Sequence, residues 1–212
     1  SSLANYYGIP SNTTNDTTWE EVAVPNERAG GLLTTALVAA AHSSLGGTSV
    51  ILRGHFIREQ LLCFDLGSPP PGATDLNPVL PASATVRDQI EARAGVAGCG
   101  ACHQYMDSIG IGMEDLDDVG LVRSSYALSG HMVDADGDVS DLLTDIFTDQ
   151  KETTPFTGTA ALGAVLAQSP AITMCARETW FTFAMGRDTL AQCHAASIGD
   201  PGATADNPIS LI

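Results

Sequence analysis

The chain has 212 residues, 44% of them hydrophobic, and carries 25 acidic against 9 basic side chains for a net charge of −16. That length buries a core for one large domain or two small ones, and the acidity disfavours nucleic acid and anionic membrane surfaces as partners. No uninterrupted apolar run reaches the ~18 residues a membrane span needs, so no span is expected.

The start at Ser1, with neither an initiator Met nor a signal-peptide pattern, reads as a mature or proteolysed end, or as the start of a fragment. Residues 1–25 are polar and turn-rich and read as an extended lead-in, with Tyr6-Tyr7 placed to pack onto the body and N-x-T sequons at Asn12 and Asn15. Residues 26–199 are then expected to form one domain. Its first part, 26–81, is a helical hairpin plus a connector; 82–199 is a core with closing helices; 200–212 is a tail. Asn26 is a cap candidate for a helix over 27–41, where Leu32, Leu33, Ala36, Leu37 and Ala40 form an apolar stripe ending before Gly46-Gly47. A second helix is expected over 49–63, with Ile51, Leu52, Phe56, Leu62 and Cys63 near a 3.6-residue period. Gly67 to Pro81, with Pro69-Pro70-Pro71, reads as a stiff polyproline-like connector. Thr85 and Asp88 stand at capping-box spacing for a third helix to about Ala94.

Cys99-Gly100-Ala101-Cys102-His103 follows. Two cysteines three apart with a histidine directly after spell the attachment site of a c-type haem. On one helical turn both thiols share a face, as two thioethers to one porphyrin require, and His103 supplies the proximal iron ligand. The small Gly100 and Ala101 let the backbone lie close to the ring. A thioredoxin-like pair or half a zinc site also begins with C-x-x-C. The adjacent histidine, and the absence from the sequence of a second C-x-x-C or an H-x-x-x-H, favour haem.

Beyond it lie Ile109-Gly110-Ile111-Gly112-Met113 and the acidic Glu114-Asp115-Leu116-Asp117-Asp118. Alternation predicts a small β-hairpin, Leu121–Leu128 and Met132–Val139 about a Ser129-Gly130 turn. Asp134, Asp136, Asp138, Asp141 and Asp145 resemble a calcium loop. The glycine falls at position 4 and the twelfth residue is Asp145, so a solvated hairpin tip is preferred over calcium. Of the 25 acids, 11 fall between Glu114 and Glu152, which suits a docking face for a cationic partner or a solvated flank. Two helices close the domain, Thr159–Gln168 and Ala171–Met185, the latter stopped by Gly186. The haem motif leaves Cys63, Cys175 and Cys193. Cys175 and Cys193 flank Gly186 with arms of 11 and 7 residues, roughly 6 Å of mismatch at helical rise. They are the favoured disulfide, with Cys63 a buried thiol.

The pattern resembles the C-terminal, haem-bearing part of the planctomycete-type cytochrome proteins, large exported bacterial proteins of unknown reaction. The matching stretches are Glu27-Arg28-Ala29-Gly30-Gly31-Leu32-Leu33, Thr48-Ser49, Arg53-Gly54, Leu61-Leu62-Cys63 and the polyproline run. The haem motif continues the match into Met106-Asp107-Ser108-Ile109-Gly110, Glu114 to Gly120, and Ala184-Met185-Gly186-Arg187. Val50 and Ser108 stand where the family usually has proline. The resemblance implies an exported haem module, often the tail of a longer chain, and supplies no substrate.

For the second axial ligand, His42, just past the first helix, stands slightly ahead of Met113, which follows two glycines able to turn the chain. His131, Met132, His55 and His194 rank lower, and Met106, one turn from His103, should be core. The choice matters because a thioether raises the haem potential relative to imidazole, and an empty position admits small molecules. No nucleophile elbow or phosphate loop is present in the sequence. The expectation is a mainly α, cytochrome c-like helical domain with a small β-hairpin and one covalent haem c. Its expected work is single-electron transfer in the periplasm or outside the cell, with a redox partner of basic surface. A peroxidase- or oxygenase-like haem enzyme with an open distal site, and a haem-bearing subunit of a larger assembly, are the rivals.

Overall fold

Helix α5 (Gly100–Ile111) carries Cys102 and His103 and begins directly after Cys99, and it lies antiparallel to α3 (Val50–Phe56) at a crossing too close for side chains. A Cβ on Gly54 would stand 2.0 Å from the Met106 carbonyl oxygen, and one on Gly110 would stand 1.9 Å from that of Val50. Only glycine fits at either point, because a real Cβ needs well over 3 Å. The structure is a computed structural model and describes residues 2–12, 17, 19–68, 80–81, 83–96, 99–140 and 153–186.

Chain order around this pair is as follows. Helix α1 (Ser2–Tyr6) is followed by 3-10 turns at Asn26–Arg28 and Gly31–Thr34 and by α2 (Ala36–Ala41). A minimal antiparallel pair, β1 (Ser43–Ser44) with β2 (Gly47–Thr48), leads into α3, which widens into a π-helical turn at Ile57–Leu61. Then come α4 (Val86–Ala94), α5, the antiparallel strands β3 (Asp136–Ser140) and β4 (Thr153–Thr157), α6 (Gly158–Ala167) and α7 (Pro170–Met185). The chain is thus mainly helical, with two small two-stranded sheets among the described residues. No single described helix is long and apolar enough to cross a membrane.

Two compact units result, dividing after Ile172. In the first, Leu33, Val38, Ile57, Ile109, Met113, Val139, Phe156, Leu162 and Leu166 form one buried core. It draws on α2, the end of α3 with its π-helical turn, α5, β3, β4 and α6. Most of α7 belongs to the second unit, where Cys175 is buried and Met174, Trp180, Phe181 and Phe183 are exposed.

Local chemistry sets the helix ends. Thr85 and Asp88 make both bonds of the capping box, Asp88 N–H to Thr85 Oγ1 at 3.1 Å and Thr85 N–H to Asp88 Oδ2 at 2.7 Å. The Thr85 N–H, and then the Thr85 hydroxyl donating to Oδ2 at 2.8 Å, hold the Asp88 carboxyl below the usual carboxylate range. Ser49 Oγ caps α3 by accepting from Leu52 N–H at 3.2 Å. The second, third and two closing helices therefore form where periodicity and caps predict them.

The expected helix over 27–41 is broken instead. Gly31 takes a left-handed φ of 61°, and Gly30 lies under α6, where a Cβ would stand 2.8 Å from the Thr159 carbonyl oxygen. The lead-in is not simply extended: it opens with α1, Tyr6 Oη donates to the Val119 carbonyl at 2.5 Å, and Tyr7 Oη accepts from Ala36 N–H at 2.8 Å. The expected hairpin is only partly formed. A bridge joins Ser125 and Met132, but Asp136–Ser140 pairs with Thr153–Thr157, a strand that alternation did not reveal. Residues 69–79 of the Pro-rich connector lie outside the described residues.

The crossing gives a direct test. Gly54→Ala should lower stability by about 1–3 kcal/mol or more, as overpacking against backbone does. Gly46→Ala, where a Cβ meets nothing within 4 Å, should change it by less than about 0.5 kcal/mol. Urea unfolding of the two variants beside the parent checks both.

Candidate functional site

The first turn of α5 presents the motif. Cys99 is helical at φ −84° and ψ −43°, so it and Cys102 sit on one face, and both are free, part-exposed thiols. The Cys102 thiol lies 3.8 Å from the Leu66 carbonyl. His103 follows with its Nδ1 at 3.0 and 3.1 Å from the two oxygens of Asp107, one turn on. Because that nitrogen is engaged, the ring is oriented, and Nε2 is the nitrogen that would ligate a metal. Asp107 is buried, and Arg93 of α4 holds it from the other side, Nη2 to Oδ2 at 3.5 Å. Arg93 Nε is buried and has no hydrogen-bond acceptor among the described residues.

Neighbouring elements shape this end of α5. Gly100 packs on α4, where a Cβ would stand 2.5 Å from the Ala94 carbonyl oxygen. Helix packing is thus a requirement on Gly100 that the sequence argument about ring approach did not contain. The buried Arg58 donates Nε–H to the Tyr105 carbonyl at 2.7 Å, with its guanidinium 5.6 Å from the Phe64 ring and 5.7 Å from that of Tyr105. At the close of this segment Cys63 adopts a left-handed φ of 51°. Cys63, expected as a buried thiol, is exposed and disulfide-bonded; Cys175 is also disulfide-bonded. Cys193, expected as the partner of Cys175, lies outside the described residues, as does His194.

These residues fit a covalent haem: two free thiols on one helical face, and a histidine whose other nitrogen a buried carboxylate already holds. The candidates for the second axial position have the following surroundings. Met113 lies ten residues beyond His103, roughly 15 Å at helical rise, and its thioether is sealed in the apolar core. His42 caps α2, with Nδ1 2.9 Å from the Val38 carbonyl and its ring stacked on Phe56 at 4.1 Å between centroids. His55 pairs with Glu59 at 3.1 Å. Met132 is exposed, and the His131 backbone N–H donates to Ser129 Oγ. Met106 is buried, as expected.

Of the acids directly after α5, Glu114 is buried, Asp115 and Asp117 are half-buried and Asp118 is exposed. Glu114 accepts from Thr48 Oγ1 at 2.7 Å and Arg123 Nη2 at 2.8 Å, with Arg53 Nη1 at 3.4 Å. Arg53, equally buried, donates from Nη1 to the carbonyls of Met113 at 2.6 Å and Leu116 at 2.8 Å, and from Nη2 to that of Asp117 at 2.8 Å. Burial pushes its guanidinium below the usual arginine range, and Glu114 offsets part of that. Asp115 accepts from Thr159 N–H and Oγ1 at the start of α6, and Asp117 Oδ1 accepts from Val119 and Leu121 N–H. Of the residues resembling a calcium loop, Asp134 is paired with Arg87, and Asp136 accepts from Thr157 Oγ1. Asp141 and Asp145 lie outside the described residues.

Sequence reasoning named Cys99, Cys102 and His103 but gave Asp107 and Arg93 no role. The signal for Asp107 was its i, i+4 spacing from His103 on a helix; nothing local pointed to Arg93.

Residues 29–126 match the family model PSCyt3, described as a protein of unknown function (DUF1588). The match contains the whole C-x-x-C-H motif and both helices of the crossing. It bears out the resemblance to planctomycete-type cytochromes for that stretch; Ala184-Met185-Gly186-Arg187 falls outside it. No curated protein and no solved structure matches the chain.

Arg53→Met removes a donor from three main-chain carbonyls and leaves the Glu114 carboxylate short of one of its cations. The expected loss is about 3–5 kcal/mol, the cost of breaking a buried pair rather than replacing it whole. Thermal unfolding monitored by circular dichroism measures it.

Proposed function

We propose that this chain, matched over 29–126 to a cytochrome-type family, is an exported mono-haem c-type cytochrome whose work is single-electron transfer. The observation that carries the reading is the His103–Asp107 pair at 3.0 Å, set one residue after two free thiols on the same helical turn. Cys99 and Cys102 would hold the group covalently, and His103 would ligate its iron through Nε2. A bound haem c supplies a one-electron couple whose potential the protein sets by ligation, burial and hydrogen bonding.

The chain's own residues do the remaining work. Asp107 fixes the His103 ring plane, Arg93 anchors Asp107, and the α3–α5 crossing fixes the helix that carries them. Such a site moves no substrate atom, so rigidity serves it better than an adaptable cleft. Covalent haem attachment takes place outside the bacterial cytoplasm, and the presence of disulfide-bonded cysteines, Cys63 and Cys175 each being one, suits the same periplasmic or extracellular setting. The net charge of −16 favours a redox partner with a basic docking face.

Expression in a bacterium equipped for c-type haem attachment tests the reading. The protein should keep its haem through acid–acetone extraction, and Cys99→Ser with Cys102→Ser should release it. An unsubstituted protein that carries no covalent haem, with Cys99 and Cys102 cycling as a dithiol, would overturn it.

A further inference from the structure

Among the described residues, Asp107 is a buried carboxylate beside the motif that haem attachment as such does not require, since thioether formation and iron ligation need only Cys99, Cys102 and His103. We propose that Asp107 is a positioning residue that sets the reduction potential, by drawing the Nδ1 proton of His103 toward itself and making Nε2 a stronger donor to the ferric iron. The inference rests on the haem reading above and adds a regulation of that site.

Three observations carry it. Both Asp107 oxygens face the same ring nitrogen, at 3.0 and 3.1 Å. The residue is only 2% exposed, so water does not compete for that hydrogen bond or screen it. Arg93 then holds the carboxylate by Oδ2 at 3.5 Å, at a longer distance than His103, which fixes its place without taking over the bond. A hydrogen bond from the ring to a full carboxylate is roughly twice as strong as one to a neutral acceptor. It raises the basicity of the ligating nitrogen, as carboxylate–histidine pairs do at other metals. A stronger donor favours the higher oxidation state, so the carboxylate holds the potential down. No bond is made or broken, and the proton stays shared between Nδ1 and Asp107.

The two partners come from different places, which makes the device separable from folding. His103 and Asp107 share α5, whereas Arg93 belongs to α4, which meets α5 where Gly100 packs on Ala94. Asp107→Asn keeps the shape and one acceptor oxygen but removes the charge. Arg93→Gln leaves the carboxylate in place without its cation, and so frees it for His103.

The test is redox titration of the haem-loaded protein and of both variants, with the covalent haem content of each measured first. Asp107→Asn should raise the potential, by about tenfold in the ferric-to-ferrous equilibrium, which for one electron is 59 mV. Arg93→Gln should lower it. Paramagnetic NMR of the ferric protein adds a readout that a distant charge would not move: the hyperfine shifts of the His103 ring protons should change in Asp107→Asn. Haem-loaded Asp107→Asn with unchanged potential and unchanged ring shifts would overturn the inference while leaving the haem reading intact. Should Asp107→Asn fail to fold, an unchanged or raised potential in Arg93→Gln would overturn it instead. An unsubstituted protein that takes up no haem would overturn the haem reading and this inference with it, an outcome the haem content identifies before any potential is read.

Discussion

Everything at the motif depends on a glycine-mediated approach of two helices. Gly54 and Gly110 let α3 and α5 touch backbone to backbone, which leaves α5 no freedom to slide or roll. A close crossing of this kind buries little side-chain area and needs other ties. The buried Arg53 supplies them, since from α3 it reaches the carbonyls that follow α5 and the Glu114 carboxylate. Isolated buried ion pairs are weak stabilisers because desolvation offsets attraction. Here the guanidinium also donates to three main-chain carbonyls of the irregular segment, those of Met113, Leu116 and Asp117. The pair therefore ends α5 and starts the irregular segment after it.

The opposite end of the same helix shows the same economy with different chemistry. Cys99 through His103 occupy its first turn, Gly100 admits α4, and α4 brings Arg93 to Asp107. A helix fixed at its C-terminal end by Arg53 and at its N-terminal end by α4 presents its first-turn face in one orientation. The proposed electron-transfer centre would gain from that, because the smaller the movement of its ligands on oxidation and reduction, the less the surroundings must reorganise.

Much of this was legible from the residues, and what was not has identifiable causes. The C-x-x-C-H spacing, the Thr85–Asp88 box and the closing helices are local signals, and helices form at each of them. The helix over 27–41 failed because its apolar stripe was real while Gly30 and Gly31 were needed for contact with α6 and a left-handed turn. Strand pairing from Asp136 to Thr157 is non-local, so alternation over 121–139 pointed to the wrong partner strand. The acidic run from Glu114 read as surface because charge is usually solvated; the arginines that neutralise it are 61 residues before Glu114 and 9 after. Met113 looked available because two glycines precede it. Gly110 in fact serves the α3 crossing and Gly112 the Phe156 ring, so neither turns the chain toward His103.

The central claim is that the first turn of α5 holds a haem whose iron changes oxidation state. The most direct measurement is the visible spectrum of the purified protein, oxidised, reduced, and reduced under carbon monoxide. The account predicts a narrow c-type α band on reduction that disappears on reoxidation, cycles without loss, and is unmoved by carbon monoxide. A protein with no haem bands would contradict the cofactor assignment. A reduced spectrum displaced by carbon monoxide would contradict electron transfer as its work and assign an open iron to ligand chemistry instead.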